Sequence, residues 1–384
     1  MLKDTALLKK AVYVVGAVAL AAGLYGFAIR MVVGERDVNY GSYVTWGLWV
    51  AMYLFFAGVA TGSFMVASLD YLFRVKLFRG TGKYGLWGAM VTMPAALMSI
   101  GMDLGHYERI WRVYIHPNFG APMAQLVWGY TIFTAVVAAA LILVSRRANT
   151  LVVQVLMAVG VFLAIFLSGG VGALLGVNAT RQSWHVGGLP AQFPVFSLAS
   201  GIALVLVALA WFAPPDERRT QQFRVLRLAM LVLLVVKAYY LWTDFSLALY
   251  TGSEEGTEAV RLVLFGDYGW AFWTLQLGLG MVVPFIVLAI RSGRGPGIED
   301  GLMGVLILVG FAVARANIIF PALAVPELEG LTTAFAGPHL GFDYVPSLIE
   351  WSVTAGIVGL ATLAFLLGID RLRLFATESE VATQ

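Results

Sequence analysis

Apolar runs of about 20 residues recur along the whole sequence, and short polar stretches separate them. A helix of about this length crosses the hydrocarbon core of a bilayer. The pattern therefore predicts ten membrane-spanning helices, called span 1 to span 10. Their approximate bounds are 11–33, 44–73, 84–104, 122–144, 151–176, 190–212, 224–250, 268–291, 301–324 and 346–369. The predicted fold class is an all-α polytopic membrane protein.

The first apolar run, 11–33, is followed by the polar stretch 34–39 and not by a small-residue cleavage site. We therefore expect a retained helix and not a signal peptide. Composition agrees with a membrane protein, because 60% of the residues are hydrophobic and 12% are charged. These values exclude an ordinary soluble domain. We expect membrane lipid around the chain and no nucleic-acid partner.

Basic residues are distributed unevenly between the two predicted sides of the membrane. One side holds most of them: Lys3, Lys9, Lys10, Arg74, Lys76, Arg79, Lys83, Arg146, Arg147, Arg218, Arg219, Arg224, Arg227, Arg291, Arg294, Arg371 and Arg373. The other side holds Arg30, Arg36, Arg109, Arg112, Arg181 and Arg261. By the positive-inside rule, both termini are predicted to be cytoplasmic.

The sequence contains no cysteine, which excludes iron–sulfur clusters ligated by thiolates of this chain. Its four histidines, His106, His116, His185 and His339, fall at or beyond the predicted outer ends of spans. A bis-histidine haem needs facing imidazoles at matching depth, and this pattern offers no such pair. We therefore expect no haem, iron–sulfur cluster or metal bound by this chain.

A dense polar cluster follows span 3 and includes Asp103, His106, Arg109, Arg112 and His116. Asp103 and His106 share one helix face if the helix continues past Asp103. A carboxylate and an imidazole at a membrane edge suit a quinone head group, which needs a hydrogen-bond donor and proton exchange. The alternative is a structural ion pair between Asp103 and Arg109 or Arg112.

Span 2 carries Trp46, Trp49, Tyr53 and Phe56 at a spacing that puts them on one helix face. These side chains predict either an interfacial aromatic belt or an aromatic wall for a flat ring. The stretch 58–62, with glycine at both ends, predicts close contact with another helix.

Spans 7 and 9 carry ionisable residues inside apolar runs. Lys237, Tyr240 and Asp244 recur on one face of span 7, and Arg315 lies in span 9 where it can face the same cavity. Ionisable groups inside a span are costly and usually face a bundle interior or a hydrated cavity. Two interpretations stay open. One is a path for protons or another ion. The other is a Lys/Asp pair that stabilises packing through water or other helices, because two helical turns separate Lys237 from Asp244.

Two further carboxylates lie near span ends. Asp70, at the cytoplasmic end of span 2, is a candidate entrance to a proton path, although an acidic residue at the interface is also common without such a role. Glu350, in the first turn of span 10, is a candidate supporting residue, and its charge also complements the positive N-terminus of the helix.

Loop positions divide the chain into four segments. We expect span 1 and its loop in 1–39, a first four-helix bundle in 40–177, a second in 178–325, and an outer loop, span 10 and a cytoplasmic tail in 326–384. Pro190 and Pro194 are expected to open span 6. The loops 251–267 and 325–345 are long and acidic. They are either solvated loops or a docking surface for an external subunit.

Several motifs, taken together and in this order, resemble the NrfD/polysulfide-reductase family of membrane subunits. They are Trp46-Gly-Leu-Trp-Val-Ala, Asp103-Leu-Gly-His-Tyr-Glu-Arg109, His116-Pro-Asn-Phe-Gly-Ala-Pro-Met123, Leu189-Pro, Phe196-Ser-Leu-Ala-Ser-Gly201, the Lys237/Asp244 pairing, Phe272-Trp273 and Tyr344-Val-Pro-Ser-Leu-Ile-Glu350. The resemblance covers about residues 40–370. It is to the ten-helix branch, which includes the hydrogenase-2 membrane subunit and membrane subunits of alternative complex III and of sulfite-reductase-linked complexes.

The resemblance implies a subunit that reacts with a quinone substrate, menaquinone or ubiquinone, and holds no cofactor of its own. It also implies a ferredoxin-like iron–sulfur partner and a catalytic subunit of the molybdopterin, hydrogenase or multihaem type. Asp103, His106 and Arg109 become candidates for the head group and for proton exchange. The resemblance also implies that Trp46, Trp49 and Tyr53 lie beside these candidates at the quinone site.

In the second bundle, Lys237 and Asp244 resemble a pair on a proton route. This sequence departs from the family at Gln276, where members often carry a glutamate in span 8, and in the long loop 325–345. The first departure weakens the case for a full proton channel, and the second bears on how a partner docks.

These observations favour an integral subunit of a respiratory or photosynthetic electron-transfer complex. We expect it in a bacterial or archaeal cytoplasmic membrane, exchanging electrons between quinone and an extracytoplasmic iron–sulfur subunit, with proton translocation as an added hypothesis. One alternative is a secondary transporter with a midplane site at Lys237 and Asp244. The other is a structural membrane anchor with a degenerate site.

Overall fold

The computed structural model describes residues 2–185, 188–251, 254–335 and 337–372. Within these residues, ten helices are long and apolar enough to cross a membrane, which confirms the predicted all-α multi-pass fold class. From span 1 to span 10 they are Leu2–Val33, Leu48–Tyr71, Gly82–Asp103, Pro122–Ser145, Thr150–Gly176, Leu189–Trp211, Arg219–Thr251, Ala271–Ile290, Ile298–Ala324 and Leu348–Arg371. The predicted tail, 373–384, and the side chain of Lys3 lie outside the described residues.

Helix starts are set by local capping. Asn149 precedes span 5, and its side-chain oxygen accepts a hydrogen bond from Leu151 N at 2.9 Å. At the start of span 10, Glu350 N donates to Ser347 Oγ at 3.3 Å, and Ser347 N donates to the Glu350 carboxylate at 2.8 Å. Such caps satisfy backbone donors that a helix start leaves unpaired. They therefore fix where these two spans begin.

Successive spans run antiparallel, so the loops gather at two ends of the molecule. At the end where span 1 begins and span 10 ends, here the terminal end, Lys9 pairs with Asp370. At the other end, here the long-loop end, Arg181 donates to the carbonyl of Val325 at 2.7 Å. This arrangement agrees with the alternation of loops predicted from the sequence.

Spans 2 and 6 form the centre of the molecule. Span 2 packs most extensively against spans 3 and 6, and span 6 also contacts spans 5 and 9. The backbones of spans 2 and 6 meet where Gly62 faces Gly201: a Cβ added at Gly62 would lie 1.7 Å from Ser197 O and 3.0 Å from Gly201 N. The predicted small-residue packing motif is confirmed at Gly62.

Spans 1 and 10 pack against each other at the edge of the molecule. A Cβ at Gly23 would lie 2.0 Å from the Cα of Gly356, so this contact is also backbone against backbone. Spans 2 and 6, one from each predicted bundle, contact each other directly. The division into a bundle of 40–177 and a bundle of 178–325 stays a prediction.

A buried ion pair connects spans 7 and 9 at the terminal end. Arg227 donates to both carboxylate oxygens of Asp300 at 2.7 Å, and both side chains are fully buried. Arg227 also donates to the carbonyls of Arg291, Arg294 and Gly295 at 2.5–3.0 Å. Every charge in this group has a partner, which is what a buried ion pair needs to be stable.

Two sequence-based expectations about the second half need correction, and span 8 contains a helix type that the sequence did not predict. The predicted loop 251–267 contains a helix, Glu254–Leu264, whose buried residues recur three or four positions apart; we call it the loop helix. Pro194 lies inside span 6, and only Pro190 occupies its first turn. Span 8 begins as a π-helix, Ala271–Val282, before it continues as α-helix. Hydrophobic periodicity predicted these apolar runs but does not separate a π-helix from an α-helix.

We expect Gly62→Ala to lower the free energy of unfolding by about 1–3 kcal/mol, because the new methyl group overlaps backbone of span 6. The matched control is Gly101→Ala in span 3, where an added Cβ meets nothing within 4 Å. That substitution is expected to be neutral or slightly stabilising. Thermal unfolding of both variants in detergent measures the difference, and equal stability of the two variants would contradict the packing argument.

Candidate functional site

Charged and phenolic side chains meet at the long-loop end, between the ends of spans 1, 3 and 10. We call this group the end cluster: Arg30, Glu35, Asp103, Tyr344 and Glu350. Asp103 is the last residue of span 3, and Glu350 lies in the first turn of span 10. Helix ends therefore supply most of its polar groups.

Asp103 is the member of the end cluster with an unsatisfied oxygen. Its Oδ1 is buried and accepts no hydrogen bond from the described residues. The charges of Glu35, Glu350 and Arg30 act on this carboxylate, so two like charges and one opposite charge surround it. A buried carboxylate oxygen without a donor is costly, and a ligand that brings a donor or a proton would satisfy it.

Arg30 holds the end of span 3 in place. Its guanidinium donates to the carbonyls of Met102 at 3.2 Å and Leu104 at 3.3 Å, and it pairs with Glu35 at 3.1 Å. The side chain is only 4% exposed and lies over the ring of Trp49 at 5.8 Å. A cation at these carbonyls complements the negative C-terminus of the helix, which explains the position of Asp103.

Glu350 gathers donors from several segments. Its carboxylate accepts hydrogen bonds from the Tyr344 hydroxyl, from Asn39 N at 3.1 Å and from Leu48 N at 3.4 Å. Burial, and then the charge of Glu350, raises the pKa of Tyr344 well above its usual range. Burial, and then the charge of Asp103, does the same for the pKa of Tyr40. Both phenols therefore stay protonated, and Tyr344 keeps its donor role.

The expectation that Asp103 and His106 share a helix face is wrong. Span 3 ends at Asp103, because Leu104 adopts an extended conformation. His106 is 68% exposed and lies 3.0 Å from Glu108, which also pairs with Arg109 at 3.5 Å. His106 and Arg109 therefore lie on the surface, apart from the buried Asp103 oxygen. Among the described residues, Asp103 forms no ion pair with Arg109 or Arg112.

The aromatic side chains predicted on one face of span 2 have different neighbours. Trp46 precedes the helix and stacks on Trp184 at a ring distance of 5.4 Å. Trp49 is fully buried, and its Nε1 donates to the carbonyl of Glu350 at 3.2 Å. Tyr53 shares a hydrogen bond of 3.3 Å with the hydroxyl of Tyr130 in span 4. They do not form one continuous wall.

A cavity lies in the second half, between spans 6, 7, 8 and 9 and the loop helix. We call it the second-half cavity; its volume is about 460 Å³, within the usual range of small-molecule pockets. Its polar lining consists of Gln182, Ser183, His185, Gln192, Lys237, Tyr240, Asp244, Gln276, Arg315 and Asn317. The structure thus brings the span 7 candidates and Arg315 to one place.

Lys237 and Asp244 have separate partners within this cavity. Lys237 Nζ lies 3.7 Å from the ring centre of Phe311, a cation–π contact. Both oxygens of Asp244 accept from the Gln192 amide, at 3.0 and 2.9 Å. No direct ion pair joins the two in the part of the chain that is described, and each contacts another helix, Lys237 through Phe311 of span 9 and Asp244 through Gln192 of span 6. Both interpretations of the two residues therefore stay open.

Asp70 lies at the terminal end and is not grouped with the cavity residues. One of its carboxylate oxygens accepts from Gly80 N at 2.8 Å and from Gly82 N at 3.0 Å. These bonds close the turn between spans 2 and 3. The structure therefore shows a local structural contact for Asp70.

Sequence reasoning missed Arg30, Glu35 and Gln192. Arg30 carried a weak signal, because it is the first charge after a long apolar run, but its contact with span 3 depends on how the helices pack. Gln192 lies between two prolines at the start of span 6 and offered no comparable signal. Its role follows only from its distance to Asp244.

Comparison with known proteins adds a family assignment. A family model described as polysulphide reductase, NrfD, matches residues 38–327, most of the chain. A selenate reductase subunit of Mesobacillus selenatarsenatis is 25% identical, with 98% of this chain aligned to 96% of that protein.

Two further relatives are similar over nearly their whole length. The Hdr-like menaquinol oxidoreductase integral membrane subunit of Archaeoglobus fulgidus is 24% identical over 97% of this chain and 95% of its own. The menaquinone reductase integral membrane subunit of Nitratidesulfovibrio vulgaris is 21% identical over 94% of this chain and 90% of its own. The likeness therefore includes both halves of the molecule.

We expect Tyr344→Phe to lower the free energy of unfolding by about 1–3 kcal/mol, because it removes a buried donor to Glu350 and an acceptor for Leu48 N at 2.7 Å. Tyr250→Phe is the matched control, since Tyr250 is 92% exposed. Thermal unfolding in detergent checks both variants. A Tyr344→Phe protein as stable as the control would show that the hydroxyl does not hold the end cluster together.

Proposed function

Because the chain belongs to the NrfD polysulphide reductase family, we propose that it is the quinone-reactive membrane subunit of an electron-transfer complex. Two relatives that align along almost the whole chain are named as integral membrane subunits acting on menaquinol or menaquinone. The proposal places the chemistry at the long-loop end, with menaquinone or ubiquinone as the substrate.

The observation that carries the proposal is the buried Asp103 oxygen without a hydrogen-bond donor. Reduction of a quinone to a quinol adds two electrons and two protons, and the protons go to the two carbonyl oxygens. A protonated Asp103 can donate one of them, and an ionised Asp103 can accept one from a quinol when the reaction runs in reverse. Glu350 and Glu35 lie close enough to act on its charge.

The other residues predicted for the quinone site have supporting roles in this proposal. Trp46, with Trp184, offers an aromatic surface at the long-loop end. Trp49 and Tyr53 already use their polar atoms inside the protein, so in this proposal they shape the site and do not hold the head group. His106 and Arg109 are exposed at the long-loop end. In this proposal the His106 imidazole relays protons, and the Arg109 guanidinium, which stays charged, offers a hydrogen-bond donor.

We propose that electrons enter or leave through another subunit, because these 384 residues contain no cysteine thiolate for an iron–sulfur cluster. We propose a ferredoxin-like iron–sulfur subunit at the long-loop end, carrying electrons to or from a catalytic subunit of the molybdopterin, hydrogenase or multihaem type. The name of one relative, a selenate reductase subunit, supports a catalytic partner. In a bacterial or archaeal cytoplasmic membrane, the positive-inside rule puts this end outside the cell and both termini in the cytoplasm.

A route for protons through the second half is a second candidate function. It is favoured by the second-half cavity, which brings Lys237, Tyr240, Asp244 and Arg315 together between spans 6, 7 and 9. In this division, 40–177 supplies the quinone chemistry and 178–325 supplies the proton route. Asp70, at the opposite end, is the proposed entrance.

Asp103→Asn is expected to lower quinone turnover of the purified complex by about 10²–10⁴-fold, because it removes proton exchange while keeping the shape of the side chain. The matched control is Asp37→Asn, an exposed residue at the same end, which should leave turnover unchanged. Turnover is measured with a water-soluble quinone analogue, and assembly of the complex is checked by size-exclusion chromatography.

The same preparations identify where the quinone binds. A photoreactive quinone analogue is expected to label peptides around residues 98–106 or 345–352, and Asp103→Asn should reduce that label. Labelling confined to peptides of spans 6 to 9 would show that the function holds but the site is wrong. No saturable labelling of this chain would count against a quinone-reactive subunit altogether.

Asp244→Asn is expected to abolish proton uptake from the terminal end during turnover in liposomes, while electron transfer continues, because an amide cannot exchange a proton. The control is Asp267→Asn, an exposed residue at the long-loop end. Uptake is followed with a pH-sensitive dye trapped inside the liposomes. Unchanged uptake in Asp244→Asn would exclude this carboxylate from a proton route.

A further inference from the structure

Two buried cations face the second-half cavity without an acidic partner. Lys237 is 2% exposed and Arg315 is 3% exposed. Within the described residues, neither forms an ion pair, and both contact aromatic rings: Lys237 lies over Phe311 at 3.7 Å, and Arg315 lies over Phe193 at 3.9 Å. Aromatic rings only partly offset a buried charge.

Other buried arginines of this chain are compensated differently. Arg227 has both oxygens of Asp300 and three backbone carbonyls, and Arg30 has Glu35 and two carbonyls. The one carboxylate among the described residues of the second-half cavity, Asp244, is held by Gln192. The chain therefore balances buried charge elsewhere and leaves an excess of positive charge at this cavity.

The cavity walls are largely apolar. Phe196 and Phe311 form one side, and the loop helix contributes the apolar side chains of Ala259, Val260 and Val263 on another. A small hydrated ion would lose contact with most of this surface. A molecule that matches the whole cavity carries a compact negative group at one end and an apolar body at the other.

We propose that the second-half cavity binds an amphipathic oxyanion, with its carboxylate or phosphate group between Lys237 and Arg315 and its apolar body along Phe311 and the loop helix. Charge-assisted hydrogen bonds from an ammonium and a guanidinium are the strong contacts that such a group makes. The Gln276 amide, held by Asn317 at 2.7 Å, faces the same space and can add a donor.

The proposal does not depend on the quinone chemistry at Asp103, and it goes beyond a route for protons. A bound oxyanion offsets the positive charge that would otherwise oppose a proton entering this region. The molecule comes either from the membrane, as a lipid acid, or from water at the long-loop end, where Gln182 and His185 line the cavity and are exposed.

The test is calorimetric titration of the full chain in a non-ionic detergent with dodecanoate, dodecanol and inorganic phosphate. Dodecanoate is expected to bind saturably. Dodecanol, which lacks the negative charge, and phosphate, which lacks the apolar body, are each expected to bind at least about tenfold more weakly. Lys237→Met and Arg315→Met should each weaken dodecanoate binding by about tenfold or more. Lys10→Met, which removes an exposed lysine at the terminal end, is the matched control and should leave it unchanged.

Two further variants keep the test decisive if a methionine variant does not fold. Lys237→Arg retains the charge and should retain dodecanoate binding. Asp244→Asn removes the only carboxylate among the described cavity residues and should strengthen dodecanoate binding, because a like charge beside the ligand is lost. Mass spectrometry of molecules extracted from the purified chain identifies the source: a retained lipid acid marks the membrane, and dodecanoate binding without one marks a soluble ligand.

Equal binding of dodecanol and dodecanoate would overturn the proposal, because the cations would then play no part. Equal binding of phosphate and dodecanoate would overturn the amphipathic ligand. Unchanged dodecanoate affinity in Lys237→Met would also contradict it. None of these results affects quinone turnover in Asp103→Asn, so failure here and failure of the quinone proposal are distinguishable.

Discussion

The contact between spans 2 and 6 at Gly62 and Gly201 is the constraint on which the rest of the molecule depends. No side chain separates the two backbones there. Span 2 can therefore contact spans 3, 5 and 9 as well as span 6. In a bilayer, where lipid is as apolar as a buried leucine, such close packing replaces the hydrophobic effect as the main source of helix association. Both helices also touch the polar sites, since Trp49 of span 2 contacts Arg30 and Glu350 and Gln192 of span 6 binds Asp244.

The two sites differ in the sign of the charge that the protein leaves without a partner. At the end cluster, carboxylates outnumber the one arginine, and an oxygen of Asp103 lacks a donor. At the second-half cavity, Lys237 and Arg315 outnumber Asp244. A site with an unsatisfied carboxylate suits proton exchange with a neutral ligand such as a quinone. A site with excess positive charge suits an anion. One chain thus presents two chemically distinct environments in the same membrane.

Hydrophobic patterning predicted the ten spans, their alternation and the small-residue contact of span 2, because each depends on residues close together in sequence. The order of motifs predicted the family. The pattern placed the end of span 3 at residue 104, one residue beyond its end at Asp103, but a shared face of Asp103 and His106 needed the helix to continue. The pattern did not predict that Arg30 of a distant span binds the carbonyls at that end, because this contact depends on how the helices pack. The hydrophobic pattern also missed the helix Glu254–Leu264. Its apolar side chains line the second-half cavity, and its glutamates had indicated a solvated loop.

The two sites differ in where they lie along the helices, and this difference affects how water or a ligand reaches each of them. The end cluster is built from the termini of spans 1, 3 and 10, where a membrane protein meets water, and exposed groups such as His106 lie at the same end. The second-half cavity is built from helix faces and is covered by the loop helix. A molecule entering it must pass the loops of the long-loop end or move between spans from the lipid. Buried charges on helix faces are costly unless something compensates them, and the oxyanion that we propose would compensate the excess positive charge of this cavity.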